Sequence, residues 1–81
     1  MTLYHTHWCP ECQIVRQKLE ELGVQYESVI VPDSRPMRSQ VYEVSHQYYV
    51  PVLTDGATTL TETRDILTYL DETYRQKTAG A

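Results

Sequence analysis

Cys9-Pro10-Glu11-Cys12 holds both cysteines of this 81-residue chain. One thiol so placed can attack a foreign disulfide while the other lies close enough to resolve the mixed disulfide, so the pair passes two electrons. The attacking species is a thiolate, and an unperturbed cysteine, with a pKa of about 8.5, is mostly protonated at neutral pH. A helix that opens at Cys9 answers this need, because its unpaired N–H groups and the positive end of its dipole favour an anion there. Cys12, one turn inside, is better suited to resolve than to attack.

The same residues admit other readings. Cys9 and Cys12 could be ordinary buried side chains, or half of a metal site. His5 and His7 add two nitrogen ligands, so four zinc-type donors fall within eight residues. The chain must turn before Cys9, however, and no distant ligand pair is present, so no metal site is assigned. His7 is expected beside Cys9, where its protonated ring would favour the thiolate. His46 is expected to be solvated or locally bonded.

The elements that must position the thiols alternate in type. Thr2 to His5 reads as a first strand ending at the redox loop. From Pro10 to about Leu22, Ile14, Val15, Leu19 and Leu22 recur at helical spacing, with Pro10 in the first turn and Gly23 as the stop. Gln25 to Val31 reads as a β-branched strand closed by Pro32 and an Asp33-Ser34 turn. Ser34 offers a cap to a second helix with Met37, Val41 and Val44 on one face. Val50 to Thr54, Asp55-Gly56 and Thr58 to Leu60 form a hairpin pattern. Thr61 can cap a last helix whose apolar stripe is Ile66, Leu67, Leu70 and Tyr74.

The order β-α-β-α-β-β-α begins with a βαβ unit, which implies parallel strands, and ends with a hairpin, which adds an antiparallel edge. The predicted class is α/β, with a mixed four-stranded sheet flanked by helices: a thioredoxin-like fold. A Cys-x-x-Cys beside such a pattern is a redox signature.

Composition narrows the partners. Seven Lys and Arg stand against eleven Asp and Glu, for a formal charge of −4, with no basic cluster to follow phosphates. Nucleic acid is not an expected partner. No stretch approaches the roughly 20 apolar residues of a membrane span, and no secretory leader pattern opens the chain. Two cysteines so close together close only a short loop and would add little stability as a staple. A soluble scaffold without a disulfide staple is therefore read as a cytoplasmic monomer, with one domain over residues 1–76 and a short tail over 77–81.

Three motifs together resemble a known family. Trp8-Cys9-Pro10-Glu11-Cys12 after a strand, Tyr49-Val50-Pro51-Val52-Leu53, and Leu60-Thr61-Glu62-Thr63 through Tyr69-Leu70 are similar to a glutaredoxin. More narrowly they resemble the glutathione-binding N-terminal domain shared by glutathione transferases and transferase-like glutaredoxins, over about residues 1 to 75. The resemblance implies that Pro51 is cis and faces the cysteines, leaving the Val50 backbone free to pair with an extended glutathione as an added strand. It implies that Glu62 faces the tripeptide's ammonium, while Thr63 and the helix start face its γ-glutamyl carboxylate.

The implied activity is glutathione-dependent reduction of protein–glutathione mixed disulfides and protein disulfides. Cys9 would be the nucleophile, Cys12 the optional resolver, glutathione a cosubstrate, and disulfide-containing or glutathionylated proteins the partners. Two alternatives stay open: a disulfide reductase recycled by a thioredoxin-reductase type partner, and a module binding glutathione with a metal or an iron–sulfur cluster. Conjugation of electrophiles is less expected, because the chain carries no all-helical second domain to form an acceptor pocket. Two departures from the family pattern stand out. Thr6 replaces a frequent cation, which leaves Arg35, Arg38 or Gln47 to compensate, and Glu11 replaces a frequent tyrosine, adding a charge that opposes the helix dipole. Tyr48 and Tyr49 are expected to wall the loop or to pack.

Overall fold

Strands β1 (Thr2–His5), β2 (Glu27–Ile30), β3 (Val52–Asp55) and β4 (Thr58–Leu60) build one sheet in the order β2-β1-β3-β4. The computed structural model describes residues 1–75. The last residue of the predicted domain and the predicted tail, 77–81, lie outside the described residues. β1 pairs parallel with β2 and antiparallel with β3, and β3 pairs antiparallel with β4. This is the predicted mixed sheet.

Alternation along the strands divides the core in two. Leu3 lies opposite Leu53, and Leu53 opposite Leu60, so these leucines share one face. That face packs on α1 (Pro10–Leu22) and α3 (Thr63–Leu70) through Val15, Leu19, Ile66 and Leu70. The intervening residues Tyr4 and Val52 point to the other face, where Val41 of α2 (Ser39–Ser45) packs with Val31, Val44 and Val50. The two central strands, β1 and β3, thus feed both layers.

The sequence-based boundaries shift where pairing partners run out. The predicted strand over Gln25 to Val31 shrinks to Glu27–Ile30, because β1 supplies only four residues to pair with it. Predicted strand Val50 to Thr54 becomes Val52–Asp55, since the Val50-Pro51 bond is cis and proline has no N–H for the ladder. Gly56, at φ 61°, turns the hairpin in the left-handed region where a side chain is disfavoured.

Two apolar assignments are corrected. Ile14 is 45% exposed rather than part of the stripe, because it is adjacent to buried Val15 and consecutive helical residues lie about 100° apart. Cys12, Val15 and Leu19 make the buried row instead. Met37 is 67% exposed. It ends a separate 3₁₀ turn, Arg35–Met37, so the helical spacing that would align it with Val41 is broken. Ser34 precedes that turn but its side chain makes no capping bond.

The last helix starts one residue later than predicted: Glu62, not Thr61, is the N-cap residue, and its side chain makes no capping bond. α3 runs on into a wider π-type turn, Asp71–Arg75. Tyr69 and Tyr74 each donate a hydroxyl to Asp55 Oδ2, at 2.6 and 2.9 Å, which ties this end of the helix to the end of β3. Leu19→Ala should cost about 2–5 kcal/mol through its cavity. Met37→Ala should change stability by under ~0.5 kcal/mol. Urea unfolding of both variants measures the contrast, and comparable losses would refute this division of the core.

Candidate functional site

Cys9 is the N-cap residue of α1, in extended conformation at φ −72° and ψ 119°. Its Sγ accepts the Cys12 backbone N–H at 3.3 Å, the geometry of a capping side chain with sulfur in place of oxygen. Pro10 fills the first helical turn, where a missing N–H breaks no bond. The positive end of the helix therefore meets the sulfur directly. Cys12 is fully buried, and burial, followed by its hydrogen bond to Cys9, pushes its thiol up to about 12. The two sulfurs are free thiols in unequal settings.

Arg16, which sequence reading did not single out, holds the loop that presents Cys9. Its Nη1 donates to the Thr6 carbonyl at 2.9 Å and its Nη2 to the His7 carbonyl at 3.2 Å. Nη1 also lies 2.8 Å from His5 Nδ1, and His5 Nε2 lies 2.6 Å from Ser28 Oγ. A guanidinium can only donate, so Nδ1 accepts and Nε2 carries the proton. The available signal was Arg16's place one turn after Cys12. His5, occupied on both ring nitrogens, is a structural residue. His7, expected beside the thiolate, has an exposed side chain, and its carbonyl is held by Arg16. Among the described residues no group of three or more His, Cys, Asp or Glu is placed to hold a metal ion.

An open groove of about 940 Å³ lies against Cys9, in the upper range of small-molecule sites. Val50, Thr61 and Glu62 line it, which brings the second and third motifs to the first. Pro51 is buried, and the Val50-Pro51 bond is cis as the resemblance implied. Trp8 and Tyr49 stand on the groove with well over half their surface exposed, and Trp8 Nε1 donates to Asp33 Oδ1 at 2.6 Å. Tyr48 instead stacks on Tyr42, with ring centroids 5.0 Å apart. His46, the exposed C-cap residue of α2, meets Tyr42 edge-on.

Thr63 is not a wall of this groove. Its hydroxyl donates to Glu11 Oε1 at 2.8 Å, and it lines an adjoining hollow with Glu11, Glu62 and Arg64.

The three residues expected to offset the missing cation have separate fates. Arg38 is buried, donating from Nε, Nη1 and Nη2 to the carbonyls of Pro32, Tyr48 and Asp33 at 2.7–2.9 Å. Gln47 spends its amide on the Tyr49 backbone, with Nε2 donating to the carbonyl and Oε1 accepting the N–H. Arg35 is exposed, lies on the groove and sits 4.7 Å over the Tyr49 ring. Thr6 is buried, so it offers no side chain to the groove.

Four strands in this order, a cysteine pair at the first helix and a cis proline just before β3 define a thioredoxin-like domain. The chain belongs to the family of glutathione S-transferase N-terminal domains, whose pattern matches residues 3–78. It is similar in structure to a diazinon-metabolizing glutathione S-transferase of the silkworm Bombyx mori, with a TM-score of 0.83 and 31% identity over 94% of this chain. Human glutathione S-transferase T1-1 gives 0.82 and 29% over 91%, and a bacterial zeta-class maleyl pyruvate isomerase 0.81 and 27% over 93%. The chain spans only 38%, 32% and 36% of those proteins' lengths, respectively. No curated protein matches it. Family and neighbours connect the chain to glutathione-related function. Among the described residues no helix is long and apolar enough to cross a membrane.

Burial above all, then the Arg16 charge and that of His7, lowers the His5 pKa below its ordinary 6.5. The unfolded chain therefore binds more protons at this position, so stability rises with pH here. That contribution is complete above about 6.5 and is lost as pH falls through the lower folded value. Acidification should destabilise the wild type more steeply than His5→Asn, measured by urea unfolding across this range; parallel curves would contradict the assignment.

Proposed function

We propose that this domain is a glutathione-dependent thiol–disulfide oxidoreductase of the glutaredoxin type. The observation that carries the proposal is the unequal pair: Cys9 Sγ caps a helix at the wall of the groove, while Cys12 is fully buried with its thiol pushed up to about 12. One sulfur is placed to attack and the other is held back.

In the proposed cycle the Cys9 thiolate attacks the glutathione sulfur of a mixed disulfide. The new bond joins Cys9 to glutathione, and the protein sulfur leaves as a thiolate that takes up a proton. A second glutathione, as thiolate, then attacks the glutathione sulfur on Cys9, releasing oxidised glutathione and the Cys9 thiolate. Two glutathione molecules thus supply the two electrons that each protein disulfide needs, and one supplies the thiol that each mixed disulfide needs. Alternatively Cys12 loses its proton and attacks Cys9, expelling glutathione and closing an internal disulfide.

The groove supports glutathione in particular. Val50 lies outside the β3 ladder at the groove wall, where an extended peptide can pair. Glu62, exposed at the groove, suits an ammonium, and the free guanidinium face of Arg35 suits a carboxylate at the opposite end. Arg35 thereby takes the part left open by Thr6. The transferase neighbours favour a second reading, conjugation of glutathione to an electrophile.

A glutathione-coupled mixed-disulfide assay separates these. Cys9→Ser should abolish turnover, whereas Cys12→Ser should keep deglutathionylation and lose the reduction of protein disulfides. An active Cys9→Ser protein would refute the nucleophile, and conjugation of a nitroaromatic halide without disulfide turnover would establish the second reading in its place.

A further inference from the structure

We infer that Glu11 is a specificity-determining residue: its carboxylate occupies, at the head of α3, the position that a ligand's own carboxylate would take. It thereby tilts the site away from glutathione's free γ-glutamyl carboxylate and toward polypeptide disulfides. The inference rests on the glutathione reading above and names what restricts it.

The contact joins two elements 52 residues apart in sequence, Glu11 Oε1 accepting from Thr63 Oγ1 at 2.8 Å. A threonine hydroxyl has one proton to donate. While Glu11 holds it, a ligand carboxylate at the same helix start has no donor from Thr63 and meets a like charge. Glu11 lines both the Cys9 groove and the adjoining hollow, and Glu62 stands beside it in each. An arriving carboxylate would meet both of these acids. The ammonium of the same ligand gains from Glu62, so the penalty falls on one group of glutathione and not on the whole molecule.

A polypeptide disulfide differs on this point. Its half-cystine is flanked by peptide bonds, which bring no free α-carboxylate to the head of α3. Trp8 and Tyr49, both largely exposed at the groove, offer such a chain an aromatic surface. Glu11 thus lowers affinity for the small thiol while leaving the extended-peptide edge at Val50 accessible.

Glutathione affinity measured by calorimetric titration tests this in a Cys9→Ser background, where no redox step intervenes. Adding Glu11→Gln should tighten binding by roughly three- to tenfold, the effect of one partly exposed charge. In a Thr63→Val background the same change should gain much less. In the protein that retains Cys9, Glu11→Gln should also raise the rate of alkylation by anionic iodoacetate relative to neutral iodoacetamide. Measurable binding that Glu11→Gln leaves unchanged overturns this inference and leaves the glutathione reading intact. An equal gain with and without Thr63 overturns the hydroxyl's part in it. No binding by any variant overturns the glutathione reading, and this inference with it.

Discussion

Arg16 reaches back from the second turn of α1 to the loop that leads into the helix, donating to the carbonyls of Thr6 and His7 and to the His5 ring. A loop between a strand and a helix carries carbonyls that need partners, and one planar guanidinium satisfies several at once. Cys9 follows directly, so the fork that closes the loop also sets where the sulfur meets the helix. The buried row of Cys12, Val15 and Leu19 fixes the other side of α1 against the sheet. Between these two constraints the helix start has little freedom, and the capping contact from the Cys12 amide to Cys9 follows.

A second guanidinium does the same for the opposite wall. Arg38 gathers the carbonyls of Pro32, Asp33 and Tyr48, which joins the end of β2 to the segment that enters β3. Gln47 pairs with the Tyr49 backbone as a neighbouring strand would. The segment that carries Val50 to the groove is thereby held by side chains whose hydrogen bonds are taken up by the backbone around it. Burying a charge such as Arg38 is costly unless its donors are met, and here all three nitrogens have partners. Arg35, by contrast, is exposed on the groove, and the proposed reading gives it the ligand's carboxylate.

The charge pattern of the site separates its parts. Cys9 stands at the positive end of α1, while Glu11, two residues on, turns its carboxylate away to Thr63. That rotation takes the acid out of the first helical turn's own capping and spends it on a contact between helices. It also explains how an acid can sit inside a Cys-x-x-Cys loop without contacting the capping sulfur. Glu62 and Arg35 then remain as opposite charges on one groove, a pattern suited to a zwitterion.

Much of this was legible along the chain, because β-strand alternation, helical spacing and turn residues are local properties. Thr2–His5, Pro10–Leu22 and Thr58–Leu60 stand as read, and Cys9, Val50 and Glu62, one residue from each of the three motifs, line one groove. Strand ends were not legible, since they depend on where a partner strand stops, as at Gln25 and Val50. Ile14 and Met37 went wrong because an apolar side chain announces its type and not its neighbours. The sequence alone determined the element order, the spacing of the cysteine pair and the resemblance to glutathione-binding domains. Only the tertiary structure decided that Arg16 and Arg38 are scaffold, that Arg35 faces the groove, and that Thr63 is held by Glu11. Those roles depend on contacts between residues far apart in the chain, and no local pattern records which distant carbonyl or carboxylate a long side chain will reach.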